Sequence, residues 1–156
     1  FTKSCKIKVM DFLVILLAVL VLAGSISIAI PSKASRKISK LRIEAKILGC
    51  KILSTLYGEN KFKNNNSNSV IYQIKNLTGI KEAHFIRDND ELILYSPVKL
   101  KFSDNFEPFN KEINEVSDSI EEIIFSNASI SFLWKELKGL EELEMILKKL
   151  DKLKNL

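Results

Sequence analysis

Histidine occurs once in this chain of 156 residues, cysteine twice and tryptophan once. A single histidine, His84, leaves no HExxH zinc motif and no Ser/His/Asp triad to assemble. Two isolated cysteines, Cys5 and Cys50, make no CxxC pair and exclude the familiar zinc patterns. There is no P-loop and no GxGxxG, so nothing prepares a phosphate or dinucleotide site. The AspAsnAsp run at 88–90 resembles a fragment of a calcium loop but lacks its glycine and distal glutamate, and reads as a hairpin turn. The Glu pairs at 121–122 and 141–142 read as solvated helix faces rather than acid/base pairs. The chain therefore reads as non-enzymatic, with no cofactor and no metal, and His84 as a structural histidine within a strand.

Charge of one sign is also missing where a nucleic-acid reading would need it. The net charge is +5, but residues 1–58 hold ten Lys and Arg against Asp11 and Glu44, whereas residues 59–156 hold fourteen against seventeen carboxylates. No Arg-rich stripe with interleaved aromatics exists, which speaks against nucleic acid as a partner.

What is present is an apolar run. Residues 12–30, FLVILLAVLVLAGSISIAI, contain no charge. At ~1.5 Å per residue a helix of this length spans ~28 Å, close to the ~30 Å core of a bilayer. The organisation expected is a basic segment at 1–8, a transmembrane helix at 9–31, a membrane-proximal amphipathic helix at 32–58, an Asn-rich loop at 59–69 and a small α+β domain at 70–156. A cleaved signal peptide is the rival reading, giving a secreted domain, but the run exceeds the usual ~7–15-residue apolar core. If the run crosses the bilayer, Cys5 and Cys50 lie on opposite sides and cannot pair.

Six cations follow the run: Lys33, Arg36, Lys37, Lys40, Arg42 and Lys46. They are candidate contacts for anionic lipid headgroups, or simply an ordinary juxtamembrane anchor. By the positive-inside rule they favour a cytosolic domain. Ile38, Leu41, Ala45, Leu48 and Ile52 form a heptad-like seam. Such a seam packs on its own domain or pairs with a second copy in a homodimer.

Farther on, 82–96 is the best hairpin in the chain, 70–74 and 98–102 are candidate strands, and the sheet expected is three- or four-stranded and antiparallel. Apolar spacing predicts a helix over about 110–126. A last helix is predicted from about Ser131 to the end, with Leu133, Leu137, Leu140, Leu143, Leu147, Leu150 and Leu153 on one stripe. That stripe is a core face or a helix for a protein partner.

The stretch ThrGlyIleLysGluAlaHisPheIleArgAspAsnAspGluLeuIleLeuTyrSer (78–96), following ArgIleGluAlaLysIleLeuGly (42–49), resembles the extracytoplasmic sensor region of bacterial membrane receptors with Cache-like domains. The resemblance covers 32–100. The single apolar run makes the expected protein single-pass, in a bacterial inner membrane, and the resemblance implies an extracytoplasmic sensor domain, contrary to the Lys/Arg count, with a ligand pocket on the concave face of the sheet. No second span or signalling module follows, and 103–156 have no counterpart. Phe1-Thr2, the apolar helix and Pro31 also resemble type IV pilins, although Cys5 stands where those carry Glu and the apolar run starts later. That resemblance implies a structural subunit of a filament or envelope complex.

Overall fold

The computed structural model describes residues 12–23, 32–53, 62–64 and 69–155. The chain divides into two compact units, Phe1–Lys37 and Ile38–Leu156.

In the first unit, residues 12–23 are helical (α1) and exposed throughout, with large apolar side chains such as Phe12, Leu17 and Leu20 open to solvent. The predicted span at 9–31 lies partly outside the described residues, as does all of 1–8. Among the described residues no helix is long and apolar enough to cross a membrane.

A second helix, α2 (Lys33–Ile47), leads into the second unit. It ends eleven residues before the predicted boundary at 58. The cause is Gly49, at φ +88°. Its N–H donates to the Lys46 carbonyl (3.1 Å) and that of Cys50 to the Ala45 carbonyl (3.0 Å). This is a Schellman closure, which a left-handed glycine permits without strain. The chain then enters β1 (Lys51–Leu53), so Ile52 sits on a strand rather than a helical seam.

The remaining elements are β2 (Ser69–Lys75), β3 (Ala83–Asp88), β4 (Glu91–Ser96), a 3₁₀ turn (Val98–Phe102), α3 (Phe106–Asn114), β5 (Ile120–Phe125), β6 (Ser129–Lys135) and α4 (Leu140–Lys152), with a final 3₁₀ turn (Leu153–Asn155). The fold is α+β, with the six strands in one antiparallel sheet ordered β1-β2-β6-β5-β3-β4. The predicted 82–96 hairpin is β3–β4, closed by Asn89 at φ +53°, a conformation Asn tolerates better than most residues. Two C-terminal helices exist, but they flank a hairpin: 120–125 and 131–135, predicted as helical, lie on strands β5 and β6. The 98–102 segment, predicted as a strand, is the 3₁₀ turn that follows Pro97.

One face of the sheet carries the core. Tyr72, Phe132, Trp134, Ile123, Phe125 and Phe85 from the strands meet Leu41 and Ala45 of α2, Phe109 and Ile113 of α3, and Leu143, Ile146 and Leu150 of α4. Aromatic edges interlock there, with Phe109 at 5.5 Å from Phe125 and Tyr72 at 5.2 Å from Trp134. Cys50 is buried in this layer, and burial pushes its thiol up to about 11, so it packs as a small apolar group.

Both sheet edges are blunted. β1 has three residues, and the outward N–H of Leu92 on β4 donates to the Asn114 side chain at 2.6 Å. A capped edge amide cannot template another strand.

Candidate functional site

The opposite face of the sheet is where the chemistry collects. Strand β5 carries a bulge: Ile120 pairs with Trp134 and Glu122 with Leu133, leaving Glu121 as the extra residue. A bulge puts two residues of one strand opposite one of its partner. Glu121 and Glu122 thereby reach the same side. Ser69 Oγ donates to Glu121 at 2.8 Å and Lys135 pairs with it at 2.8 Å.

Glu122 is fully buried, in a cross-strand row with Ile71, Leu133 and Ile86. A carboxylate in such a row is tolerable only when its oxygens are satisfied. Three groups do so. His84 Nε2 lies 2.8 Å from Oε2, the main-chain N–H of Lys63 donates to Oε2 at 3.0 Å, and that of Asn64 donates to Oε1. Lys63 and Asn64 are thus fastened to this face of the sheet by Glu122. The Lys63 ammonium sits 5.5 Å from the centre of the Tyr95 ring, which itself lies edge-on to His84 at 5.3 Å.

His84 also walls a groove of about 520 Å³, with Lys81, Glu82, Ser96, Ile124, Ser126 and Asn127 around it. Asn76 ties the adjoining turn to Ser126, which lines the groove, donating to the carbonyls of Ile80 (2.8 Å) and Ser126 (2.6 Å). Ser96 is the cross-strand neighbour of His84, and no hydrogen bond joins the two side chains. The arrangement can orient a polar molecule. Lys81 and Glu82 supply both signs of charge at the rim.

The reading of 121–122 and 141–142 as solvated helix faces is corrected here. Glu121 and Glu122 lie on a strand, and Glu121, Glu122 and Glu142 are buried; Glu141 alone is exposed. Glu142, in the first turn of α4, accepts hydrogen bonds from Ser117 Oγ, from Ser119 Oγ (2.9 Å) and from Trp134 Nε1 (3.1 Å), with the Lys138 ammonium at 3.5 Å. Burial opposes its charge, but these bonds outweigh burial and hold the carboxyl below its ordinary range. No group of three or more potential metal ligands occurs among the described residues.

The six candidate headgroup contacts separate. Lys33, Arg36, Lys37, Lys40 and Lys46 are exposed. Arg42 is engaged by the domain: Nε and Nη2 each donate to Glu136 at 2.9 Å, and the Tyr72 hydroxyl donates to the same carboxylate at 2.5 Å. The Glu136 hydrogen bond holds the guanidinium pKa above its usual value. Burial, then the bond to Glu136, pushes the Tyr72 phenol up as well. Of the five seam residues, Leu41 and Ala45 are in the domain core, Ile38 and Leu48 are exposed, and Ile52 packs beside the core from β1. In the leucine stripe, Leu143, Leu150 and Leu153 are core, Leu140 and Leu147 pack against it, Leu133 is on β6 and Leu137 is exposed.

Arg42→Ala is expected to destabilise the domain by about 1–2 kcal/mol, because it strips a nearly buried carboxylate of a bidentate partner. Arg42→Lys should recover little, since a point cation cannot replace the fork. Lys40→Ala should fall within about 0.5 kcal/mol of wild type. Urea titrations of the three variants decide this; equal midpoints for Arg42→Ala and Lys40→Ala would remove the fastening role.

Compared with known proteins, the chain matches no protein-family model, no curated protein and no solved structure.

Proposed function

We propose that the chain is a membrane-anchored, non-enzymatic recognition module, of the sensor or protein-interaction kind, that takes a small polar ligand in the groove beside His84. The observation that carries the reading is that groove: an open cavity of about 520 Å³, walled by polar side chains and backed by a buried His–Glu pair. Pockets with a few converging polar groups are the usual form of ligand sites. Charges of both signs at the rim favour a zwitterion, such as a free amino acid. The resemblance of 78–96 to Cache-like sensors supports the same reading, because that stretch supplies Lys81, Glu82, His84 and Ser96.

The anchoring half is supported by the uncharged run 12–30 and by the exposed apolar side chains of α1. An exposed surface of this kind requires a cover, and a bilayer in the inner membrane of a bacterium is the cover proposed.

The test has two arms. Free amino acids are screened against the full chain in detergent by thermal unfolding. A true ligand raises the midpoint, by the equivalent of about 2.7 kcal/mol at a hundredfold excess over Kd, and leaves Ser96→Val and His84→Gln unmoved. A shift of the same size in both variants removes the groove from the reading. In the second arm, carbonate-washed membranes should retain the wild-type chain and release Leu16→Arg/Leu20→Arg. Complete release of the wild type counts against the anchor.

A further inference from the structure

We propose that the outward face of α2, made by Lys40, Ile43 and Ile47 with Lys46 at its flank, is a docking surface for an anionic lipid bilayer. The proposal rests on the anchoring reading above and adds to it a defined contact between the folded domain and the membrane surface.

Helical spacing sets the face. Leu41 and Ala45, four apart, are buried on the domain. Lys40, Ile43 and Ile47, at steps of three and four, lie together on the other side. Ile43 is 60% exposed and Ile47 79%, which is costly for two isoleucines on one helix in water. Beside them Lys40 and Lys46 are exposed, and among the described residues neither makes an ion pair. Arg42, by contrast, turns inward to Glu136. The cations left outside are therefore those that no described carboxylate of the domain uses. In the sequence the same spacing continues back through Arg36 and Lys33, and Glu44 is the one acidic residue of the helix.

Apolar side chains bordered by cations of this kind are what an interfacial helix presents to acidic headgroups: the isoleucines enter the acyl boundary while the ammonium groups stay with phosphate. The uncharged run ends at Ile30, ten residues before Lys40, which keeps a bilayer within reach. A second copy paired in parallel about a two-fold axis would set Lys40 against Lys40, a repulsion that a bilayer of acidic headgroups does not meet.

The experiment uses the full chain with Cys5→Ser. Cys50 is retained, since its thiol is buried and its pKa is raised. A single cysteine replaces Ile43, Ile47 or, as a control on the far hairpin, the exposed Glu91. Each carries an environment-sensitive NBD label. The protein is reconstituted in vesicles of phosphatidylcholine alone or mixed with phosphatidylglycerol, and recovered by flotation.

In the mixed vesicles, probes at 43 and 47 should shift to the blue and be quenched by nitroxide lipids, while the probe at 91 stays aqueous. Phosphatidylcholine alone should give the weaker shift. Lys40→Gln and Lys46→Gln should each reduce the ratio of docked to undocked chain about fivefold. Aqueous probes at 43 and 47 on vesicles that float with the protein overturn the docking surface and leave the anchor standing. An equal shift in both lipids overturns its charge recognition. Oxidative cross-linking of two unlabelled Ile47→Cys chains to each other assigns the face to a second copy and overturns the proposal. Failure to float brings down the anchoring reading and this one with it.

Discussion

Glu142→Ala is expected to lower the stability of the domain by about 3 kcal/mol, a large share of what a domain of this size possesses. The substitution removes one carboxylate and strands three donors, Ser117 Oγ, Ser119 Oγ and Trp134 Nε1. The indole is fully buried in the core, and its N–H loses the acceptor it has there. Glu142→Gln should cost less, because its amide oxygen still accepts. The two variants also separate charge from shape through pH. The folded carboxyl titrates below the ordinary value of 4.5. Its stabilisation is therefore fully present above the unfolded-state pKa and disappears as pH falls through the folded value. Denaturant midpoints of wild type and Glu142→Gln should stay a constant distance apart from pH 7 down to about 5, and converge below about 4.5. Parallel midpoints across the whole range would show that the charge itself contributes nothing.

Glu122→Ala should be comparably damaging, at about 3 kcal/mol, by a different route. Here the groups left behind are the His84 imidazole and the main-chain N–H groups of Lys63 and Asn64. Losing the fastening should release residues 62–64 from the sheet before the rest of the domain unfolds. Amide exchange at Lys63 and Asn64 is expected to accelerate about a hundredfold, while amides of β5 and β6 accelerate by no more than the global loss of stability allows. Unchanged exchange at 63 and 64 would sink the view that Glu122 holds this segment. A His84/Glu122 double-mutant cycle should return a coupling of roughly 1–3 kcal/mol.

How far the sequence could be read depends on how locally each feature is encoded. The 82–96 hairpin was legible because AspAsnAsp and the alternating residues around it act within a few positions. The α+β class and the antiparallel pairing followed from the same signals. β5 was hidden by its own bulge. Ile120 and Ile123 both face the core because Glu121 is the extra residue between them, and a strand with one extra residue places core positions three apart, the spacing of a helix. β6 was hidden by burial on both faces: Phe132 and Trp134 enter the core while Leu133 is covered on the other side, so no alternation survives. The early end of α2 was readable in principle, since Gly49 stands where the Schellman turn needs it, but the apolar spacing continuing through Ile52 drew the helix onward.

The site was less legible than the fold. His84 and Glu122 are thirty-eight positions apart, and only strand order brings them together. One local signal existed: two glutamates inside IleGluGluIleIlePhe. A run that apolar must be buried, and its carboxylates must then find partners. Likewise nothing in the sequence distinguished Arg42 from the other five cations of α2, because Glu136 lies ninety-four residues away.

The strand order β1-β2-β6-β5-β3-β4 has a consequence for the ribosome. The hairpin made last, β5–β6, occupies the centre and, among the described residues, is the only link within the sheet between the β1–β2 and β3–β4 pairs. Two-stranded pairs are marginal by themselves. A nascent chain must therefore carry β6, which ends at Lys135, out of the exit tunnel before its sheet can close. Until then β2, β3 and β4 lack the central hairpin they pair and pack with, and a chaperone with affinity for extended apolar segments has that interval in which to bind them.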